Sequence, residues 1–275
     1  MTETGGILKI MHAGALRRPI GDCLHIFRRR FRGTKIDLQA AGSRECARRI
    51  LTGEPFDVVV LADPAVFAEF LVPDFVGDYF VFATDQIVIG YSRYGHQYRS
   101  GKEINDQNWM DVLLADGVSF GRSDEHLDPC GYRTLMVWQL AEDYYRRPGL
   151  AALFQQQCRL MYAKSIDLVA PLMEGGVDYA FIYASEARQV GLPYVVLPSP
   201  INLAHPAYAD YYGRAAVTVR SKDSGGTTIV RGTPIEFAVA VSRKAENPGL
   251  AASFIELLTD DEGQQVLENN GLIPC

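Results

Sequence analysis

Apolar and polar positions in this chain switch repeatedly between a strand-like and a helix-like rhythm. Ile7 to Met11 is a short apolar run followed by the small-residue turn His12-Ala13-Gly14-Ala15. Ile20, Cys23, Leu24, Phe27 and Phe31 then recur at helical spacing, predicting a helix over about 18–31. Ile36, Leu38 and Ala40 alternate as a second strand, and Ala41-Gly42-Ser43 ends it, with Ser43 placed to cap a helix over 44–51. The uninterrupted run Asp57-Val58-Val59-Val60-Leu61 suits the interior of a parallel sheet, and Ala62-Asp63-Pro64 follows as another cap-plus-proline turn. Three strand–turn–helix units in succession predict a doubly wound α/β lobe. Ligands of such lobes bind beyond the carboxyl ends of the strands, where all three turns fall.

The pattern continues with strands over 79–82 and 86–91, a helix near 109–114 and a strand over 118–120. Leu135, Met136, Trp138, Leu140, Tyr144 and Tyr145 predict a helix from about 129 to 146, broken by Pro148-Gly149. A further helix to about 157, a strand over 159–162, a helix over 166–173 introduced by Ser165, and strands over 179–183 and 194–197 complete a second α/β lobe. After Pro198, Ala216–Arg220 and Thr227–Val230 flank Ser224-Gly225-Gly226, a hairpin signal. The run 237–241 and helices over about 248–258 and 260–269 close the chain. The expected division is 1–86 with 200–275 as one lobe and 87–199 as the other, joined by two crossover strands.

The stretch Arg122 to Trp138 carries the most local chemistry. Asp128 precedes Pro129, a combination suited to starting a helix. Gly131 in the first turn has no Cβ to keep a ligand from the backbone. Free N–H groups at a helix start attract anions. The plain alternative is that Asp128 only caps the helix.

Composition narrows the functional classes. A chain of 275 residues, 48% hydrophobic and 22% charged, is ordinary globular material for one large or two medium domains. A net charge of −6 argues against nucleic acid as partner, since phosphate binding needs a concentrated basic surface. The run Arg28-Arg29-Arg30 reads as the solvated face of a helix. No apolar run approaches the roughly 20 residues that span a bilayer. The opening Met-Thr-Glu-Thr-Gly-Gly resembles no secretory leader, which leaves a cytosolic chain or a trimmed leader as alternatives. Cys23, Cys46, Cys130, Cys158 and Cys275 lack zinc or disulfide-scaffold spacing, and Cys23 and Cys46 read as small core residues.

Taken together, H-A-G-A-L-R-R-P, A-A-G-S-R-E-C-A-R-R, D-V-V-V-L-A-D-P, F-A-T-D-Q-I-V-I-G-Y, E-I-N-D-Q-N-W, D-P-C-G-Y-R-T-L-M, V-D-Y-A-F-I-Y and Y-A-D-Y-Y resemble the molybdate/tungstate-binding proteins of ABC importers, in their archaeal-type branch. The likeness is colinear from about Ile10 to Leu272. It implies a type II periplasmic-binding fold that closes two lobes on a tetrahedral oxyanion, outside the cytoplasm, with a permease and an ATPase as partners. Such a protein has no cofactor, performs no catalysis and is expected to be a monomer. Family site residues carry over to Ser43, Asp128 and Tyr183, with main-chain donors at Gly14, Ala15, Cys130, Gly131 and Tyr132. Two positions depart from the pattern: Ala15 stands where the family has a serine, and Ser165 where it has a glutamate. With one carboxylate gone, Asp128 alone is left to ligate the metal of a bound oxyanion. A plain tetrahedral anion such as sulfate then joins molybdate and tungstate as a candidate.

Other functions compete with this one. Cys130 in the first turn of a helix is expected to have a depressed pKa, and with His12 or His126 as base it would define an enzyme. His12, Asp63, His126 and Asp128 are a candidate cation site without a recognised ligand spacing, although Asp63 reads first as a cap. A cytosolic sensor of the same fold is a further alternative.

Overall fold

The computed structural model describes residues 6–95, 103–222 and 225–275. In chain order, β1 (Ile7–Ala13) runs through a 3-10 turn (Gly14–Leu16) into α1 (Arg17–Arg30), followed by β2 (Lys35–Ala41), α2 (Ser43–Leu51), β3 (Val58–Leu61) and the short α3 (Pro64–Val66). Next come β4 (Phe80–Asp85), β5 (Ile87–Tyr91), α4 (Trp109–Leu113), β6 (Phe120–Ser123), α5 (Pro129–Tyr144), α6 (Leu150–Gln157) and β7 (Leu160–Tyr162). A 3-10 turn (Ser165–Leu168) leads into α7 (Val169–Glu174), then β8 (Tyr179–Tyr183), α8 (Ala184–Val190), β9 (Tyr194–Val196) and α9 (Ala209–Tyr212). The chain ends with β10 (Ala216–Arg220), β11 (Thr227–Arg231), β12 (Ile235–Val241), α10 (Pro248–Thr259), α11 (Asp261–Asn269) and β13 (Ile273–Pro274).

Two compact units divide the chain, Met1–Thr84 with Glu236–Cys275 and Asp85–Ile235. The expected boundary at 200 is therefore corrected: residues 200–235 belong with the second unit. Their attachment is local, because Gln139 of α5 donates to the Ala216 carbonyl at 3.0 Å and accepts the Ala216 N–H at 2.9 Å. Ser224 of the hairpin signal and residues 1–5 lie outside the described residues, while the flanking strands β10 and β11 pair antiparallel as expected.

The first unit holds a six-stranded sheet in the order β13-β4-β12-β3-β1-β2. β1 pairs parallel with β2 and β3, and β12 pairs antiparallel with β3. The Val58–Leu61 run is therefore interior but flanked by one strand of each direction. It is fully buried, as its apolar composition demands. Met11, Val59, Leu61, Ala238 and Ala240 form one face of the core with Phe67 and Phe70. The arginine run ending α1 is a solvated face: Arg30 pairs with Asp260 and Glu262 at 2.6 Å each, at the start of α11. Such exposed pairs contribute only about 0–1 kcal/mol each. Cys23 and Cys46 are buried core residues, and all five cysteines are free thiols.

The second unit holds a five-stranded sheet in the order β7-β6-β8-β5-β9. The sequence Y-A-F-I-Y of β8 is buried at every position because both faces of the sheet are covered. Ala180 and Ile182 pack with Leu168, Leu172 and Ala187 on one face. Phe181 points the other way into an aromatic group, 6.0 Å from Trp109 and 5.5 Å from Trp138 between ring centroids. Trp109 in turn stacks on Phe154 at 5.3 Å. α5 ends two residues before the expected Arg146. Twelve of its 16 residues are buried, which explains why its apolar pattern is hardly one-sided.

Candidate functional site

Each unit presents helix starts at the carboxyl ends of parallel strands. In the first unit, His12 and Ala13 belong to β1, so the turn itself is the 3-10 segment Gly14–Leu16, with Gly14 and Ala15 both buried. Ala13 and Ala41 are register partners, which sets the Gly14 turn beside the start of α2. Ser43 is not the cap of α2; Gly42 holds that position and Ser43 is the first helical residue. Its buried hydroxyl accepts the Ala62 N–H at 2.9 Å, tying the α2 start to the turn after β3, and its own proton remains to be donated. Asp63 caps α3 as expected, accepting the Ala65 N–H at 2.8 Å.

In the second unit, Asp128 occupies the cap position of α5, but its side chain makes no cap hydrogen bond. Instead its Oδ2 accepts the Ser165 N–H at 3.0 Å. The plain alternative, Asp128 as a simple side-chain cap, is therefore not met, since the carboxylate is turned to a second loop. Ser165 sits in the 3-10 turn itself, fully buried, and its Oγ lies 2.7 Å from Glu186 Oε1. Glu186 Oε2 accepts the Tyr183 N–H at 3.1 Å. The Tyr183 hydroxyl accepts from Arg133 Nη1 at 2.8 Å, and the guanidinium lies 5.9 Å from the Tyr183 ring centroid. Asp128, Ser165 and Tyr183 thus meet in one buried polar network, joined by two ionisable residues absent from the expectation, Arg133 and Glu186.

Gly131 owes its identity to a cause other than ligand access. A Cβ there would stand 2.6 Å from the Asp124 carbonyl carbon, the Glu125 nitrogen and the Ser123 oxygen, so the turn over 123–125 lies directly against the helix. Tyr132 buries its side chain in the unit, leaving its main chain as its candidate contribution. Cys130 is buried, and its Sγ lies 3.7 Å from the Phe181 carbonyl. Burial, reinforced by Glu186 and Asp128, pushes its pKa well above that of an ordinary thiol. The expectation of an activated thiolate is overturned, because the positive helix end is outweighed by desolvation and neighbouring carboxyls.

Burial also governs the acids. It raises Asp128 to about 6, against the opposing hydrogen bonds of Ser123 and Ser165 and the charge of Arg133. Glu186 is raised well above the usual range by burial, opposed by the Ser165 hydroxyl and reinforced by Asp128. The histidines of the candidate cation site are engaged elsewhere. His12 Nδ1 lies 2.7 Å from the Ala13 carbonyl, and His126 Nδ1 accepts the Arg220 N–H at 3.3 Å. Among the described residues no cluster of three or more His, Cys, Asp or Glu is arranged to hold a metal ion. Nor is any described helix long and apolar enough to cross a membrane.

Each α/β unit thus places helix starts and buried polar side chains near the ends of its strands. Residues 8–273 match the bacterial extracellular solute-binding protein family, and the chain belongs to that family. An uncharacterised solute-binding protein of Petrotoga mobilis is 36% identical, covering 97% of this chain and 83% of its own length. The molybdate/tungstate-binding protein WtpA of Pyrococcus abyssi is 33% identical, covering 98% and 86%. The resemblance carried by the motifs is thereby borne out. Among solved structures, the periplasmic molybdate-binding protein of Azotobacter vinelandii superposes with a TM-score of 0.70 at 16% identity, over 97% of this chain and 98% of its own. The sulfate-binding protein SubI of Mycobacterium tuberculosis gives 0.67 at 16% identity, over 99% and 87%. These likenesses establish the type II binding-protein fold expected from the sequence.

Proposed function

We propose that this protein is the solute-binding component of an ABC importer and captures a tetrahedral oxyanion of the molybdate and tungstate class. It works outside the cytoplasm, as a monomer, without cofactor and without catalysis. The observation that carries the reading is the hydrogen bond from the Ser165 N–H to Asp128 Oδ2 at 3.0 Å. It brings the start of α5, the 3-10 turn at Ser165 and a buried carboxylate to one point, with Tyr183 and Arg133 in the same network. Helix starts supply N–H donors and partial positive charge, and the Arg133 guanidinium adds a full one. In the second unit Asp128, Ser165 and Tyr183, with the main chain of Cys130, Gly131 and Tyr132, are assigned to the anion. In the first unit, Gly14, Ala15 and Ser43 stand as candidate donors at the strand ends. The kinship with proteins named for molybdate and tungstate binding supports the choice of anion.

Asp128 gives the reading its chemical edge. A carboxylate repels a bare dianion such as sulfate but ligates a high-valent metal through oxygen, so Asp128 favours molybdate and tungstate over sulfate. Calorimetric titration of the intact protein with each anion is expected to rank tungstate and molybdate well above sulfate. Asp128→Asn is expected to weaken tungstate binding by at least about thirtyfold while leaving sulfate no weaker. Absence of heat and of any thermal shift with all three anions would sink the proposal. Equal loss of tungstate and sulfate in Asp128→Asn would remove the metal-ligating role.

A further inference from the structure

Glu186 is the third residue of α8, and one of its oxygens does what a glutamate there commonly does, accepting the N–H of the residue before the helix. That role leaves the other oxygen unexplained. Oε1 reaches the hydroxyl of Ser165, 21 residues earlier, at 2.7 Å, and Ser165 passes on to Asp128 through its N–H. The result is a chain of acid, hydroxyl, main-chain amide and acid. Glu186 is 0% exposed, Ser165 1% and Asp128 3%.

A capping glutamate ordinarily leaves its charge in water, whereas this one is enclosed. Its two hydrogen-bonding partners are a neutral N–H and a neutral hydroxyl. An enclosed carboxylate without a cation against it is expensive, and a second carboxyl nearby makes ionisation costlier still. The titratable groups acting on it are Asp128 just before α5, Cys130 in α5 and Asp85 at the end of β4, with Tyr183 of β8 and Ser165 of the 3-10 turn as its hydrogen-bond partners. The cation of the network, Arg133, directs its Nη1 to the Tyr183 hydroxyl. The 2.7 Å separation fits an O–H···O hydrogen bond in either sense. With a proton on Glu186, the acid donates to Ser165 Oγ and the serine's own proton is released for another acceptor. With Glu186 ionised, that proton is drawn back.

We propose that Glu186 is a positioning residue for anion capture, standing as a neutral acid that donates to Ser165 Oγ so that Ser165 presents its O–H to the bound oxyanion. The inference rests on the oxyanion reading above and adds who controls the hydroxyl. Its ligand class is the fully deprotonated tetrahedral dianion, which accepts hydrogen bonds but offers none. Burial and the nearby Asp128 hold Glu186 in its protonated form beyond the usual carboxyl range. As pH rises through its titration, the site loses a donor and gains a negative charge, so affinity falls.

Calorimetric titrations of the intact wild type, Glu186→Gln and Glu186→Ala with sodium tungstate and sodium sulfate, from about pH 6.5 to 9.5, test this. The wild type is expected to weaken by about tenfold or more towards the alkaline end. Glu186→Gln is expected to abolish that alkaline limb, because its amide donates to Ser165 Oγ and its carbonyl accepts from Tyr183 at every pH. Glu186→Ala is expected to lose at least about tenfold near neutral pH, and Glu186→Gln to restore it to within about threefold of wild type. An unchanged alkaline limb in Glu186→Gln, or wild-type binding by Glu186→Ala, overturns the inference. So does a Glu186→Gln variant that binds as weakly as Glu186→Ala. Should Glu186→Ala fail to fold, the pH profile of Glu186→Gln decides alone. A wild type that binds neither anion overturns the oxyanion reading and this inference with it, whereas a binding wild type with any of the failures above overturns this inference only.

Discussion

Asp85→Asn is expected to stabilise the protein by about 3 kcal/mol near neutral pH and to change nothing near pH 3. Asp85 ends β4 at 2% exposure. It accepts the Gln86 N–H at 2.7 Å and faces the Ser185 N–H at 3.4 and 3.3 Å from its two oxygens. Burial nevertheless pushes its pKa from 3.8 up to about 6, with the Ser185 and Gln86 hydrogen bonds opposing. The folded state therefore holds a proton that the unfolded chain gives up first. Stability from this group is complete below pH 3.8 and is lost as pH rises through about 6. Asparagine keeps an oxygen for both main-chain donors and carries no charge to bury. Its advantage should thus appear between those two values and stay constant above them. Urea denaturation of both proteins across that range measures it. A difference independent of pH would show that the carboxyl's charge is not what the fold resists.

Gly131→Ala is expected to cost at least about 3 kcal/mol and to abolish anion binding, because the added methyl has nowhere to go. Three main-chain atoms of Ser123, Asp124 and Glu125 lie 2.6 Å from where it would stand, and main chain cannot rotate aside as a side chain does. Relief requires the start of α5 to move off the 123–125 turn. That motion would carry Asp128 away from the Ser165 N–H, since Asp128 is itself tied back to the Asp124 carbonyl at 2.9 Å. Thermal denaturation and tungstate titration of the variant check both effects. Wild-type stability would mean that the turn yields freely, and wild-type affinity at reduced stability would uncouple it from the site.

Several parts of this arrangement were legible in the residues themselves. The alternation of β1, β2 and β3 with their helices follows from apolar periodicity, and Asp63 before Pro64 announced a cap that the structure contains. Motif likeness points to Asp128, Ser165 and Tyr183, and they share one network. Ser43 was misplaced by a single residue. Caps are chosen by backbone angles as well as by side-chain chemistry, and Gly42 takes the extended conformation at that position. The missing Cβ of Gly131 is legible in the residue itself, whereas the 123–125 turn packed against it is not.

Arg133 and Glu186 were missed for one reason. Both are charged residues on helices, and such residues ordinarily face water. Arg133 stood inside the quoted D-P-C-G-Y-R motif, and Glu186 stood three residues after the strand-end Tyr183, the spacing of a reach-back cap; those were the available signals. Neither reveals enclosure. Cys130 failed in the opposite direction, since its position in the first helical turn predicted activation until surrounding carboxyls and desolvation reversed it.

Local spacing and side-chain type by themselves determined the succession of elements and the small-residue turns after the strands, and the likeness of whole motifs pointed to the family. These depend on neighbours within a few residues and on patterns that survive without coordinates. The direction of Asp128, the neutral hydrogen-bond partners of Glu186, the partner of Arg133 and the charge state of Cys130 were decided only by tertiary structure. Each depends on groups 20 to 50 or more residues away. What those groups set is desolvation and hydrogen-bond pairing, which exist only once the units have folded.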